Sequence, residues 1–343
     1  MFKLVKLIIF LFVAGSLWYA YQVYWRSPKT NAPTVPIFIE KGQSAAMIAA
    51  ELAKKGVITY PRLFEWYAKI TKKAGALKAG SFTMPAGLSI QDALARLLSS
   101  VTSEETITIP EGWDLREIAE YFESKGIAAQ KDFFAVSGQV AIDYRRNKTA
   151  PQPDNFSNDF VFLKVKPSYV SLEGFLFPDT YRVAKNATLE DVIKKMLGTF
   201  QKKIVDVYGS EIDKSGHSLY EIVIVASILE KEVPQVTDRA MVADILWRRL
   251  KRGMALQVDS SVNYLTGKEG LFTTADDRQV DSFWNTYKYP GLPLSPISNP
   301  GVATIEAALR PKSNSFWFYL TGRDGVVHYG RTLEEHASNR KFL

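Results

Sequence analysis

The feature that most restricts the fold is a run of 19 residues, Leu7 to Trp25 (LIIFLFVAGSLWYAYQVYW), without one charged side chain. Such a run has no polar face to show water, and as a helix it is long enough to cross the hydrocarbon of a bilayer. Lys3 and Lys6 precede it, and Trp18, Tyr19, Tyr21, Tyr24 and Trp25 crowd its far end as an interfacial aromatic belt would. A cleaved signal peptide is the rival reading. However, no small-x-small site with a clear mature start follows, and the aromatic end suits a retained anchor. Arg26 and Lys29 nearly balance Lys3 and Lys6, and the remaining bias puts the N-terminus inside and the rest of the chain outside.

Beyond the span, RSPKTNAPTVP carries three prolines and no apolar period, so it is an extended linker, and the folded part begins near Ile37. One pattern then occurs three times: a short β-prone run, a turn glycine, a capping residue two positions on, and an amphipathic helix. The copies are IFIEKGQS, SFTMPAGLS and ITIPEGWD, with Gly42, Gly87 and Gly112 at the turns and Ser44, Ser89 and Asp114 at the caps. Behind them Ile48 and Leu52, then Ile90, Leu94 and Leu97, then Leu115, Ile118 and Phe122 recur at helical spacing. The copies are unequally separated, which excludes a solenoid; strand–helix units on one small sheet, an α+β fold, are expected. From Gln130 to Lys166 the pattern weakens, and helices resume at Leu189 and continue to Lys251.

Composition removes several chemistries. There is no cysteine, so thiol nucleophiles, zinc thiolates and disulfides are out; with only His217, His328 and His336, no metal site and no cofactor are expected. The net charge of +7 suits an anionic partner, and suits ordinary surface solubility at least as well. The basic residues are scattered, and KITKK (Lys69 to Lys73) is too short to define a nucleic-acid stripe, so no nucleic-acid partner is expected. No nucleophile-elbow, P-loop or dinucleotide motif occurs.

The segment most suggestive of chemistry is Ser218 to Glu232, SLYEIVIVASILEKE. Ser218 and Glu221 have capping-box spacing and Pro234 marks the end, so one helix covers it. At 100° per residue, Leu219, Ile222, Val223, Ala226 and Leu229 share one arc, and Glu230 falls inside it; Lys231 and Glu232 project to the other side, near Tyr220 and Glu221. A carboxyl on an apolar face is costly to ionise, so Glu230 fits a general acid. The competing reading is an end-of-helix glutamate paired with Arg239, Arg248 or Arg249, and the helix alone does not separate the two. Downstream, MALQVDSSVNY presents Gln257, Asp259 and Asn263. WNTYKYPGLPLSPISNPG sets Asn285, Tyr287 and Asn299 in a stiff proline-rich loop, suited either to sugar recognition or to a structural wrap.

LEGFLFPDTY (Leu172 to Tyr181), ASILEKE (Ala226 to Glu232), RRLKRGMALQVD (Arg248 to Asp259), NTYKYPGLPLSPISNPG (Asn285 to Gly301) and HYGRTLEEH (His328 to His336) together resemble the endolytic murein transglycosylases, the MltG or YceG-like family, over nearly the whole chain. The resemblance implies residues 1–30 as cytoplasmic stub, transmembrane anchor and start of linker, 31–103 as a LysM-like βα module, and 104–343 as a mixed α/β catalytic domain with a buried catalytic helix. It implies non-hydrolytic cleavage of the β-1,4 bond between N-acetylmuramic acid and N-acetylglucosamine, leaving 1,6-anhydro ends and terminating nascent strands. The expected partners are peptidoglycan strands and, beside them in the membrane, peptidoglycan synthases. The family's acid maps onto Glu230, and Gln257, Asp259, Asn285, Tyr287 and Glu173 are candidates for substrate binding. A hydrolytic muramidase using Glu173 or Asp259 as second carboxylate, or a non-catalytic wall-binding scaffold, are the alternatives.

Overall fold

The computed structural model of the chain describes residues 2–28, 32–40, 42–98, 104–184, 187–268 and 273–343. It divides into two compact units, Met1–Thr106 with Arg182–Ala187, and Ile107–Tyr181 with Thr188–Leu343.

In the first unit, helix α1 (Phe2–Ala20) runs into a wider π-helical turn, Tyr21–Trp25. Within this stretch Val5–Trp25 is long and apolar enough to cross a membrane, with a mean hydropathy of 1.6 over its most apolar window, of which 12% is buried in the protein. The turn glycines Gly42 and Gly87 have φ of 92° and 84°, a left-handed conformation that side chains rarely adopt. Beyond them, Ser44 accepts a bond from the N–H of Met47 at 3.3 Å and Ser89 from that of Asp92 at 3.0 Å. These caps start α2 (Ala45–Lys54) and α4 (Ile90–Leu98); between them α3 (Pro61–Ile70) starts on a proline that needs no N–H partner there. Strand β1 (Thr34–Ile39) pairs antiparallel with β2 (Gly80–Pro85), setting Ile37 opposite Phe82. Ile37, Ile48, Leu52, Phe64, Phe82 and Leu94 meet in one core. Burying each contributes about 1.5–3 kcal/mol.

In the second unit, Gly112 has φ 82°, and Asp114 caps α5 (Leu115–Ser124) in a capping box with Glu117. The strand before it, β3 (Glu104–Thr108), pairs with β4 (Thr180–Ala184) and not with β1 or β2; residues 104–106 and 182–184 of this pair count with the first unit. The expectation of one small sheet is therefore corrected. The described strands form three separate two-stranded sheets, because the third copy finds its partner far downstream. Helix α6 (Gln130–Ser137) stands where the pattern weakens; only Phe133 and Ser137 are buried on it, too few to leave an apolar stripe.

The helices that follow are α7 (Leu189–Phe200), α8 (Asp206–Ser215), α9 (Leu219–Glu232), α10 (Val236–Lys251), α11 (Asp259–Thr266) and α12 (Val302–Leu309). An antiparallel pair, β5 (Phe318–Thr321) and β6 (Val327–Gly330), leads to α13 (Leu333–Asn339). Helix α9 is buried without interruption from Ile222 to Leu229, so it is a core helix rather than one with a single apolar stripe. Mid-helix, the Ser227 hydroxyl donates to the Ile224 carbonyl and accepts from the N–H of Ile297 at 3.0 Å, while the Ser227 carbonyl accepts from the Ser298 hydroxyl. These bonds seat the proline-rich loop along α9.

Candidate active site

Two glutamates end α9, and a separation of two residues turns them about 200° apart. Glu230 faces inward. Its Oε1 accepts from Arg239 Nη2 at 3.0 Å, and its Oε2 accepts from the Gly301 N–H at 3.0 Å and the Thr304 hydroxyl at 2.5 Å. The ion pair is buried, with the two side chains 9% and 6% exposed. Of the arginines open to Glu230 in the sequence, Arg239 is the partner. A third charge joins them: the Glu111 carboxyl lies against Gly301, where an added Cβ would meet its Oε1 at 2.0 Å, and burial, then the nearby Glu230, raise its pKa.

Glu232 points the other way, into a cleft of about 1070 Å³. Its Oε1 accepts from the Ser260 N–H at 3.0 Å. The Ser260 hydroxyl lies beside the same carboxyl without a well-formed bond, and is buried with no other partner among the described residues. Burial is the main cause that raises the Glu232 pKa, and the Asp259 carboxylate adds to it. The sequence reading sent Glu232 to the polar side of the helix; that side turns out to be the wall of the cleft.

The opposite wall is built by α11 and the proline-rich loop. The Thr286 hydroxyl accepts from the Val258 N–H at 3.0 Å, and the Thr286 carbonyl accepts from the Gln257 N–H at 3.2 Å. This registers Tyr287 against Asp259, and the phenol donates to Asp259 Oδ1 at 2.8 Å. The Thr273 hydroxyl and Arg278, at 3.4 Å, complete the surround of that carboxylate. Gln257 holds φ of +53°, unusual for a residue with a side chain, and lines the cleft. From the third side, β5 contributes Tyr319, whose hydroxyl is buried without a hydrogen-bond partner among the described residues; burial first, then Glu232, push its pKa well up, so it stays a neutral phenol. Arg249, buried and bonded to the carbonyls of Leu256 and Trp317, and His336, whose Nδ1 is also buried and unpartnered, fill the remaining wall.

Of the residues expected at the site, Gln257, Asp259 and Tyr287 thus come together around the cleft. Asn285 and Glu173 do not. Asn285 is 0% exposed and spends its amide on the carbonyls of Arg278 and Val280 and the N–H of Tyr287, which shapes the loop rather than a ligand. Glu173, also fully buried, accepts from the Leu115 N–H, Asn299 Nδ2 and the Tyr264 hydroxyl, and burial raises its pKa well up. Glu232, Tyr319 and Glu111 are the residues the sequence reading passed over. A late-titrating carboxyl, a neutral phenol and an amide lining one groove can hold a polyhydroxylated chain and give a proton to one of its oxygens. Among the described residues no group of three His, Asp or Glu side chains is placed to hold a metal ion.

Residues 37–341 match the model of the YceG-like family. The chain is 32% identical over 337 residues to an endolytic murein transglycosylase of Bacillus subtilis, covering 97% of this chain and 91% of the relative. It is 30% identical to an endolytic murein transglycosylase of Streptococcus pneumoniae over 89% of this chain, and spans 57% of that longer relative. A crystal structure of a yceG-like protein from Listeria monocytogenes superposes with a TM-score of 0.57 at 28% identity, covering 90% of this chain and 100% of that one.

Proposed function

Because the chain belongs to the YceG-like family, we propose that it is an endolytic lytic transglycosylase of peptidoglycan, held to the membrane by residues 5–25, whose proton donor is Glu232. The observation that carries the assignment of the donor is that Glu232, and not Glu230, lines the cleft. Both oxygens of Glu230 are occupied by Arg239, Gly301 and Thr304, which suits a structural anchor at the end of α9. Glu232 accepts from the Ser260 N–H, has a raised pKa and lines the cleft.

The reaction then runs without water. The Glu232 proton passes to the glycosidic oxygen between N-acetylmuramic acid and N-acetylglucosamine as the C1–O bond breaks. The carboxylate so formed faces the positive charge growing at C1, and Asp259, held by Tyr287 and Arg278, adds a second negative charge nearby. The C6 hydroxyl of the same sugar closes on C1 and returns its proton to Glu232, leaving a 1,6-anhydro end. A tethered nucleophile needs no second base to activate it, and its effective molarity is high. Gln257 and Tyr287 position the strand.

Two further parts of the reading rest on the first unit. The order β1, α2, α3, β2, with the two strands antiparallel, supports a LysM-like module in 31–103. The apolar span before it supports a retained anchor with the N-terminus inside and the cleft outside, beside the synthases whose nascent strands the enzyme terminates. Digestion of glycan strands by the full chain in ¹⁸O water tests the chemistry: the new ends are anhydro sugars without label. Labelled reducing ends would establish a hydrolytic muramidase instead, with Asp259 as its second carboxylate.

A further inference from the structure

Helix α3 has one face in the core and another left largely open to solvent. Phe64, Tyr67 and Ala68 are buried, whereas Trp66 is 50% and Ile70 52% exposed. At about 100° per residue, Arg62, Trp66, Lys69 and Ile70 share the outer arc, and Lys72 and Lys73 follow, exposed, just beyond the end of the helix. Among the described residues Lys69 pairs with Glu65, and Arg62, Lys72 and Lys73 have no carboxylate within ion-pair distance. The face is therefore aromatic, apolar and net positive.

Its neighbour is the end of the apolar span. Trp18 meets Tyr60 edge-on with ring centroids 5.1 Å apart, Tyr19 meets Trp66 at 5.6 Å, and Tyr24 meets Tyr67 at 6.2 Å. The rings that mark where the span leaves the hydrocarbon are the rings that hold α3. We propose that the outer face of α3 lies on the anionic headgroup surface of the membrane that α1 crosses, as a second, peripheral contact. Tryptophan and isoleucine enter the headgroup layer while the lysines and Arg62 meet lipid phosphates, the division of an interfacial amphipathic helix. The proposal rests on the anchor reading, and its test separates the two.

The chain has no cysteine, so single cysteines report cleanly. An environment-sensitive probe is placed by Phe10→Cys in the span, Ile70→Cys on the outer face of α3, and Met47→Cys, an exposed site on α2, the helix packed beside α3 in the same unit. The full chain is set in nanodiscs of phosphatidylglycerol and phosphatidylcholine, or of phosphatidylcholine alone, with nitroxide quenchers in the acyl chain or the headgroup. The probe at 70 is expected to be quenched by the headgroup label at least about threefold more than the probe at 47, with the difference shrinking when Lys69, Lys72 and Lys73 become Gln or phosphatidylglycerol is omitted. Equal quenching at 70 and 47, with the probe at 10 quenched by the acyl label, overturns the peripheral contact and leaves the anchor standing. A probe at 10 that the acyl label does not reach overturns both.

Discussion

A buried carboxyl beside a second carboxylate gives up its proton late, and Glu232 is in that position. Cleavage by a general acid needs the protonated form, so the rate falls as pH rises through the raised pKa, and the alkaline limb lies above the ordinary glutamate range. Asp259→Asn removes a charge that holds the pKa up. Its pH profile of kcat/KM should shift the limb to lower pH, whatever it does to the maximum; an unmoved limb counts against Glu232 as the titrating group. Tyr319 offers a different test, because its hydroxyl is buried without a partner among the described residues. Tyr319→Phe removes a desolvation cost of about 1–3 kcal/mol. The variant should therefore melt no lower than the parent; a clear loss of stability would show that the hydroxyl has a partner in the fold. At this scale the sequence was half legible. Helix phase correctly turned Glu230 away from water, but a wheel gives only a direction relative to the apolar residues. It does not say that Arg239 waits on one side, or that the polar side carrying Glu232 borders a cleft instead of bulk solvent.

Elements were readable where their signals are local. Ser44, Ser89, Asp114 and Ser218 all cap the helices that follow them, because a cap involves residues two or three positions apart. Pairings across the chain left no such mark. Thr180 and its neighbours gave no sign that they would take β3, and α6 buries too little to print a period. The proline-rich loop was open to two readings, and particular residues now divide them. Asn285 and Asn299 are spent on structure, while Tyr287 reaches the cleft. The seam that seats this loop on α9 turns on Ser227. Ser227→Ala strands the buried N–H of Ile297 and should destabilise the chain by about 1–3 kcal/mol in urea unfolding. A change within a few tenths would mean that the seam does not hold the loop.

For the molecule as a whole, the proposed placement at the membrane rests on the N-terminal span. With Phe10 67% exposed and the span barely covered by protein, the full chain should stay in the pellet after an alkaline carbonate wash with its N-terminus intact by mass spectrometry. Recovery of a shortened, soluble chain would favour a cleaved leader. In the proposed reading the family supplies the reaction and the cleft supplies the place for it. Both depend on one proton donor. The most direct test is the rate at which the full Glu232→Gln chain releases 1,6-anhydro ends from glycan strands, read beside its melting temperature. We predict a fall of roughly 10²–10⁴-fold with melting preserved, since the substitution removes a general acid and keeps its shape. A folded Glu232→Gln chain that still produces anhydro ends at the parent rate would contradict the account.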